Sequence, residues 1–576
     1  MAAIATPSYE WDLDFFFPGP DSRELAAAKV SLISAIDAYE RALHNPTVDS
    51  VLTSLENVMS QFPTIYGYLY CLVSVDTRNE AALSQQSEMD ALYSRLKKLQ
   101  TRFAAWVGTL DVEAEIEASP RAKDHAYVLR KLKFHASHLM SPAEEALASK
   151  LAPSAGMAWG KLYDTFSSQI EIQFEGKAVG MASLRNVAYD ESRERRRLAY
   201  EAELVAWKLN DVPIAAAMNG IKGVVNTLSE RRGWTSPLAQ AAWENGIDEA
   251  TLEAMMTAAH EAFPDFRRYM NAKAKAIGVT KLEWYDLFAP LPSDESHWSV
   301  ERGCDFVAEQ FDTFSKKMGD FARRSYAENW IDFPPKLGKV GGAYCDTLKD
   351  EISRILMNYD GSFNNVKTLA HELGHAYHSL CLSQKPVLLR DIPSTLAETA
   401  SIFCETIVKN AALAQFEGKS RLALLEACIM GPCQTVVDIT SRYLFEKAAF
   451  EGRKARDMSA GELCEAMTNA QKQTYGDALA SYHPYMWAAK PHYYSESSFY
   501  NFPYMFGLLF ALGLYKIYEQ NPDEFRANYD QLLANSGSAD APTLCAGFGL
   551  DCRSVEFWRG SLDVIRKDID AFEASV

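Results

Sequence analysis

The stretch AHELGHAYHS, residues 370–379, holds three of the chain's eleven histidines, with a glutamate directly after the first. Histidines at i and i+4 lie one helical turn apart and can offer two imidazole nitrogens to a single zinc ion. In the pattern formed by His371, Glu372 and His375, the glutamate stands beside such an ion without ligating it, where it can take a proton from water. On a helical wheel, Val366, Leu369, Leu373, Ala376, Tyr377 and Leu380 gather on one side. His371, His375 and His378 gather on the other, within about 60° of one another. That face meets either bulk water or a cleft. Gly374, which costs a helix interior roughly 1 kcal/mol relative to alanine, points to another segment packed closely against it.

A catalytic zinc takes a third protein ligand and keeps one position open. The extended metzincin motif needs glycine at 378 and histidine at 381; His378 and Cys381 stand there instead, so that class is excluded. The next segment, DIPSTLAETASIFCETIVKN (391–410), supplies carboxylates. Pro393 and Ser394 mark a helix start, and Leu396, Ala400, Phe403, Cys404 and Ile407 form an apolar face. Glu398 and Glu405, seven residues apart, fall on the opposite face. Spacing does not choose between them as the third ligand. The one not used, and Asp391, are candidates to orient a ligand imidazole.

The elements that must position these residues are mostly helices. Periodicity predicts helices at roughly 22–44, 80–107, 121–138 and 142–151, the last capped by Ser141 with Pro142 and Glu144 behind it. QIEIQFEG (169–176) alternates polar and apolar residues and reads as a strand or hairpin arm. A long helix opens at 190–210, and its basic run, Arg193 to Arg197, reads as a solvated face paired with Glu201 and Glu203. KVGGAYCDTL (339–348) and ISRILMNYDG (352–361) read as two short strands just ahead of the histidine helix. Everything after residue 362 reads as helical. The expected fold class is mainly α with a small sheet beside the histidine helix, and 576 residues suggest two or more lobes.

A net charge of −18 argues against nucleic acid and anionic membrane surfaces as partners. The apolar run YMFGLLFALGLY (504–515) is too short to span a bilayer and reads as a buried core helix. MAAIATPSYEWDLDFF carries neither a basic leader nor an apolar core, so no secretory signal is expected. The ten cysteines, without CxxC pairs, read as reduced, mostly buried thiols of a cytoplasmic protein.

HELGHAYH followed by LAETASIFCE resembles the oligoendopeptidase F family of zinc metallopeptidases, relatives of thimet oligopeptidase and neurolysin. GGAYC and ILMNYDGSFNNVKTLAHELGHAYH are similar to that family's run into its active site. YDESRERRRLAYEA, SGSADAPTLCAGFGLD and VEFWRGSLDVI are similar to its flanking segments, so the likeness covers roughly residues 110–570. The resemblance implies one zinc ion held by His371, His375 and Glu398, with Glu372 as the base. Glu405, Asp391 and His378 remain as neighbours of the ligands. It implies a two-lobed helical fold around a deep channel for short peptides, with an N-terminal helical region at 1–185 and a catalytic domain at 186–576.

In such relatives a segment like GGAYC pairs with the substrate backbone, which assigns Gly341, Gly342, Ala343 and Tyr344 to substrate binding and agrees with a strand edge at 339–348. A histidine and tyrosines contact the reacting carbonyl there. In WAAKPHYYSESSFYNFPYMF (487–506) those correspond to His492 and Tyr504, then Tyr500, and more distantly Tyr493. The implied activity is zinc-dependent cleavage inside short peptides. An exopeptidase of the same zinc class is the alternative; a peptide-binding protein without turnover has no use for Glu372.

Overall fold

The computed structural model describes residues 9–293 and 297–576, so the first eight residues, read above for a leader, lie outside the described residues. Helices dominate. Among the described residues, five short strands interrupt them: β1 (Glu171–Phe174), β2 (Lys177–Gly180), β3 (Ile331–Asp332), β4 (Tyr344–Lys349) and β5 (Ile352–Leu356). The chain divides into two compact units, each built from three segments.

The first unit comprises Met1–Leu139, Ser296–Ala412 and Ile517–Leu544. Its core begins with the apolar faces of three helices, Arg23–Ala42, Val48–Met59 and Phe62–Val75, through residues such as Leu32, Ile36, Leu52 and Leu69. Leu348 and Leu356 of the sheet close the same core. In that sheet β5 pairs antiparallel with β4 and parallel with β3, in the order β3-β5-β4, which leaves β4 at an edge. Both strands are shorter than their sequence suggested. Gly342, at φ +81°, holds a left-handed conformation that ends the extended run before Tyr344. Past Leu356 the chain turns at Gly361 (φ +88°) into the histidine helix, Phe363–Leu382, whose N-cap is Ser362. The expected helix at 121–138 is two, Pro120–Asp124 and Ala126–Ser137. His125 leaves helical geometry between them.

The second unit comprises Met140–Glu295, Leu413–Lys516 and Cys545–Val576. β1 and β2 form the hairpin expected from QIEIQFEG, turning on Glu175 and Gly176 at positive φ. The helix opening at Arg193 runs 39 residues to Arg231. Its basic run is only partly a solvated face. Arg197 pairs with Glu194 and Glu201 at the surface, but Arg196 is buried against Asp286 at 3.0 Å, and Arg193 reaches the same carboxylate at 2.8 Å. Glu203 turns inward to Arg185 and His483 instead of pairing with the run. The reason is helical spacing: Arg196, Ala199, Glu203 and Ala206 share one stripe, and that stripe is buried.

Lys222–Glu446 and Lys273–Glu426, both at 2.6 Å, are further ion pairs buried in this unit, and Tyr269 donates to Glu426 at 2.8 Å. Removing one partner leaves an uncompensated buried charge. Glu426→Ala is expected to cost roughly 3–5 kcal/mol, read as a fall in denaturation midpoint. The run 504–515 lies in the core helix Phe502–Gln520, as read. Among the described residues, Gly418–Ala455 is long and apolar enough to cross a membrane, but 56% of its most apolar window is buried inside the protein. Eight of the ten cysteines are buried.

Candidate active site

The histidine helix buries Val366, Leu369, Leu373 and Ala376, while His371 and His375 each keep 25% of their side-chain surface exposed. The glutamate segment is not the single helix its spacing predicted. Ser394–Ala397 makes one turn, Glu398 lies outside it at φ −86°, ψ 4°, and Thr399–Gln415 runs on. That break delivers the Glu398 carboxylate to both imidazoles, with Oε2 3.2 Å from His371 Nε2 and 3.5 Å from His375 Nε2. Glu405, on the helix proper, meets the other nitrogen of His371, Nδ1, at 3.4 Å. The two carboxylates that spacing left equivalent therefore occupy different places.

Each of these groups is held in turn. Ser401 Oγ donates to Glu398 Oε2 at 2.6 Å, Lys367 stands 3.2 Å from Glu405, and the backbone carbonyl of Ala397 accepts from the His375 ring. The sequence reading missed Ser401, which sits three residues after Glu398, and Lys367, which reaches Glu405 from another helix. The close approach inferred from Gly374 is present: a Cβ there would meet Ser401 Cα at 2.5 Å and the Ala400 carbonyl at 2.7 Å. Both obstacles are backbone. Gly374→Ala is therefore expected to push the segment carrying Glu398 away, costing about 1–3 kcal/mol of stability and weakening metal binding together. Melting temperature and metal titration would check the pair.

Electrostatics follow the geometry. Burial works against a charged His371, but the carboxylates of Glu398 and Glu405 override it and push its pKa up to about 10. Burial pulls His375 down to about 4. Glu398 and Glu405 are held near 2 despite burial, Glu398 mainly by His371 and Glu405 mainly by Lys367. Burial raises Glu372 to about 7. Carboxylates thus flank His371 on both sides and are balanced by a proton on its ring, a charge that a divalent cation can replace.

The donor atoms of His371, His375 and Glu398 lie within 4.8 Å of one another. Tetrahedral zinc, with bonds of about 2.0–2.2 Å, sets its ligand atoms about 3.3 Å apart. The observed 3.2 and 3.5 Å fit that spacing, and two histidines with one glutamate are a catalytic zinc donor set.

Beside these residues lies a cavity of ≈ 480 Å³, walled by the histidine helix, Glu398 and residues 343–347 of the β4 segment. Glu372 lies along it, close enough to Cys345 to add to the effect of burial in raising that thiol. Ala343 and Tyr344 line it; Gly341 and Gly342 precede it, with Asn358 Nδ2 donating to the carbonyls of Val340 and Gly342 at 2.9 Å. The Tyr344 hydroxyl is engaged elsewhere, 2.5 Å from Ser74 Oγ. His378 touches the cavity but is buried, its Nε2 2.7 Å from Ser536 Oγ. The second nitrogen of His371 meets Glu405 and the ring of His375 meets the Ala397 carbonyl, while the charge of Asp391 acts on Tyr127.

His492, Tyr500 and Tyr504 form a second group, within the other unit. The His492 ring lies 4.8 Å from that of Tyr500, and the Tyr504 hydroxyl donates to the Tyr500 hydroxyl at 3.4 Å. Both tyrosines are exposed, at 45% and 43%. Tyr493 is fully buried against Phe445 and belongs to the core.

The sequence pattern of Peptidase family M3 matches residues 186–564, more than half of the chain. The chain belongs to peptidase family M3. It is therefore an enzyme, a metalloendopeptidase by family. A second pattern, that of Oligopeptidase F, matches residues 110–171. The chain is 24% identical to an oligoendopeptidase F homolog of Lactococcus lactis, covering 99% of this chain and 98% of that one. It is also 24% identical to the group B oligopeptidase PepB of Streptococcus agalactiae, covering 98% and 96%. In fold it is similar to a Chlamydophila abortus peptidase (TM-score 0.84, 20% identity, 99% of each chain). It is likewise similar to oligoendopeptidase F of Enterococcus faecium (TM-score 0.69, 18% identity, 98% and 99%). These two carry the comparison of fold for an M3 peptidase with small sheets in a helical frame.

Proposed function

We propose that this M3 peptidase is a zinc-dependent oligoendopeptidase that hydrolyses internal bonds of short peptides, with one zinc ion per chain held by His371, His375 and Glu398. One observation carries the reading: a carboxylate leaves its helix to stand 3.2 and 3.5 Å from two imidazoles on consecutive turns, beside a cavity that Glu372 lines. When bound, zinc supplies Lewis acidity, polarising a carbonyl and lowering the pKa of water toward about 7. Glu372 takes the proton of the attacking water and returns it to the leaving amine. Glu405 holds His371 through Nδ1, fixing which nitrogen faces the ion. Glu405→Gln is accordingly expected to weaken metal affinity by roughly 10–100-fold, checked by competition with a chromogenic chelator.

Substrate alignment falls to Gly341, Gly342, Ala343 and Tyr344. Its support is the edge position of β4, to which an extended peptide can add as a strand. His492, Tyr500 and Tyr504 are read as polar groups that contact the peptide at the reacting bond, Tyr504 as a donor to the carbonyl oxygen. The division near residue 185 into an N-terminal region and a catalytic domain is kept, and the two family matches on either side support it. Short substrates are supported by the names of the oligopeptidase relatives, and a cytoplasmic setting by the buried free thiols. The test is an internally quenched peptide blocked at both ends, with products mapped by mass spectrometry. Internal cleavage that a chelator abolishes and zinc restores is expected. Trimming of a free-ended peptide only would make the protein an exopeptidase.

A further inference from the structure

Beneath His492 lies a chain of polar side chains that neither the metal site nor the proposed mechanism uses. Asp438, the last residue of a single π-helical turn, Gln434–Asp438, is buried and accepts from Arg442 Nη2. Such turns recur at functional sites. Arg442 Nη1 donates to Asn501 Oδ1 at 3.0 Å, and His492 Nδ1 lies 2.8 Å from the same oxygen. A guanidinium has only donors, so the Asn501 atom facing it must be the oxygen; a flipped amide would set NH₂ against NH₂. With its oxygen so oriented, Asn501 can only accept from His492. Directly before Tyr500, Phe499 is buried at φ +54° and stacked on Phe450 at 5.5 Å. An aromatic residue in that left-handed region is strained and persists only where its surroundings enforce it.

We propose that Asn501, clamped by Arg442, is a positioning residue that holds neutral His492 as its Nδ1–H tautomer, so that Nε2 presents a bare lone pair to a main-chain N–H of the peptide. Among the described residues Nε2 has no hydrogen-bond partner, and the ring is partly exposed. The charged groups acting on the ring are Arg442, Lys490 and Glu446; burial first, then the two cations, lower its pKa and keep it neutral at physiological pH. His492 is then an acceptor, in place of the carbonyl contact that the family resemblance implies, and donation to a developing oxyanion falls to the tyrosine hydroxyls. The identity of the peptide N–H rests on the peptidase reading; the tautomer does not.

The tautomer is read from the long-range ¹H–¹⁵N spectrum of the full chain labelled at histidine, with the His492 signal assigned by its loss in His492→Gln. Nδ1 protonated and Nε2 bare above the ring's titration is the expected pattern, and an Nε2–H signal in the wild type overturns the proposal. Asn501→Ala is expected to release a mixture of tautomers. Asn501→Asp keeps an acceptor there and is expected to restore Nδ1–H while moving the titration up by about 1–3 pH units. If Asn501→Ala does not fold, the wild-type spectrum still decides. The ligand is tested with peptides in which one amide at a time is replaced by an ester. One position should lose roughly three- to tenfold in kcat/KM with the wild type and nothing further with His492→Phe. Equal losses in both proteins at every position would overturn the peptide contact, and a failure to cleave any peptide would overturn the peptidase reading while leaving the spectrum to judge the tautomer.

Discussion

Glu372→Gln is expected to keep its fold and its metal while losing turnover by roughly 10²–10⁴-fold. The replacement is nearly isosteric, so a side chain that is only 6% exposed keeps its packing between the histidine helix and the β4 segment. The ligand atoms belong to His371, His375 and Glu398, none of which is changed. What disappears is the ability to accept a proton, because an amide oxygen is a far weaker base than a carboxylate. The loss should fall on kcat and leave KM nearly unchanged, since the proton moves only on the way to the transition state. Steady-state kinetics with one blocked peptide, together with metal analysis of the same preparation, separates this outcome from a folding defect. Full activity in this variant would remove Glu372 from the mechanism.

His371→Ala is the more drastic change. The imidazole it deletes stands between two carboxylates, Glu398 at 3.2 Å and Glu405 at 3.4 Å, and supplies one of three metal donors. Without it, Glu398 loses the group that mainly holds it ionised, while Glu405 keeps Lys367 at 3.2 Å. Loss of a residue that merely orients a ligand costs about 10–100-fold in metal affinity, so loss of the ligand itself should exceed 10²-fold or so. The purified variant is expected to carry far less than one equivalent of zinc and to show no cleavage of the blocked peptide. Its helical circular dichroism should persist, because the apolar side of the helix is untouched, although the stabilisation that bound metal adds to the folded state is lost. Stoichiometric zinc in this variant would contradict the assignment of the ligand.

Much of this was legible in the sequence because it is local. The apolar stripe of the histidine helix, the 142–151 helix with its capping box and the β1–β2 hairpin each depend on residues within a few positions of one another. Gly374 announced a tertiary contact by its mere presence, and Ala400 and Ser401 supply it.

What the wheel could not show was set by packing across long sequence separations. It placed His378 with the other two histidines, but Ser536, from a distant helix end, takes that ring into the interior. It placed Glu398 and Glu405 on one face of one helix, whereas a break at Glu398 sends them to opposite nitrogens of His371. Arg196 looked solvated because its partner, Asp286, lies 90 residues away. Asn501 carried no signal at all, since its part depends on Arg442 from another segment.

The central claim is that His371, His375 and Glu398 hold one zinc ion. The most direct measurement is anomalous diffraction, on either side of the zinc edge, from crystals of the full chain purified without chelator. The expected result is a single peak per chain, about 2.0–2.2 Å from the two Nε2 atoms and the Glu398 oxygen, with Glu372 adjacent and unligated. A zinc peak elsewhere, or an absence of zinc at this site in an active preparation, would contradict it.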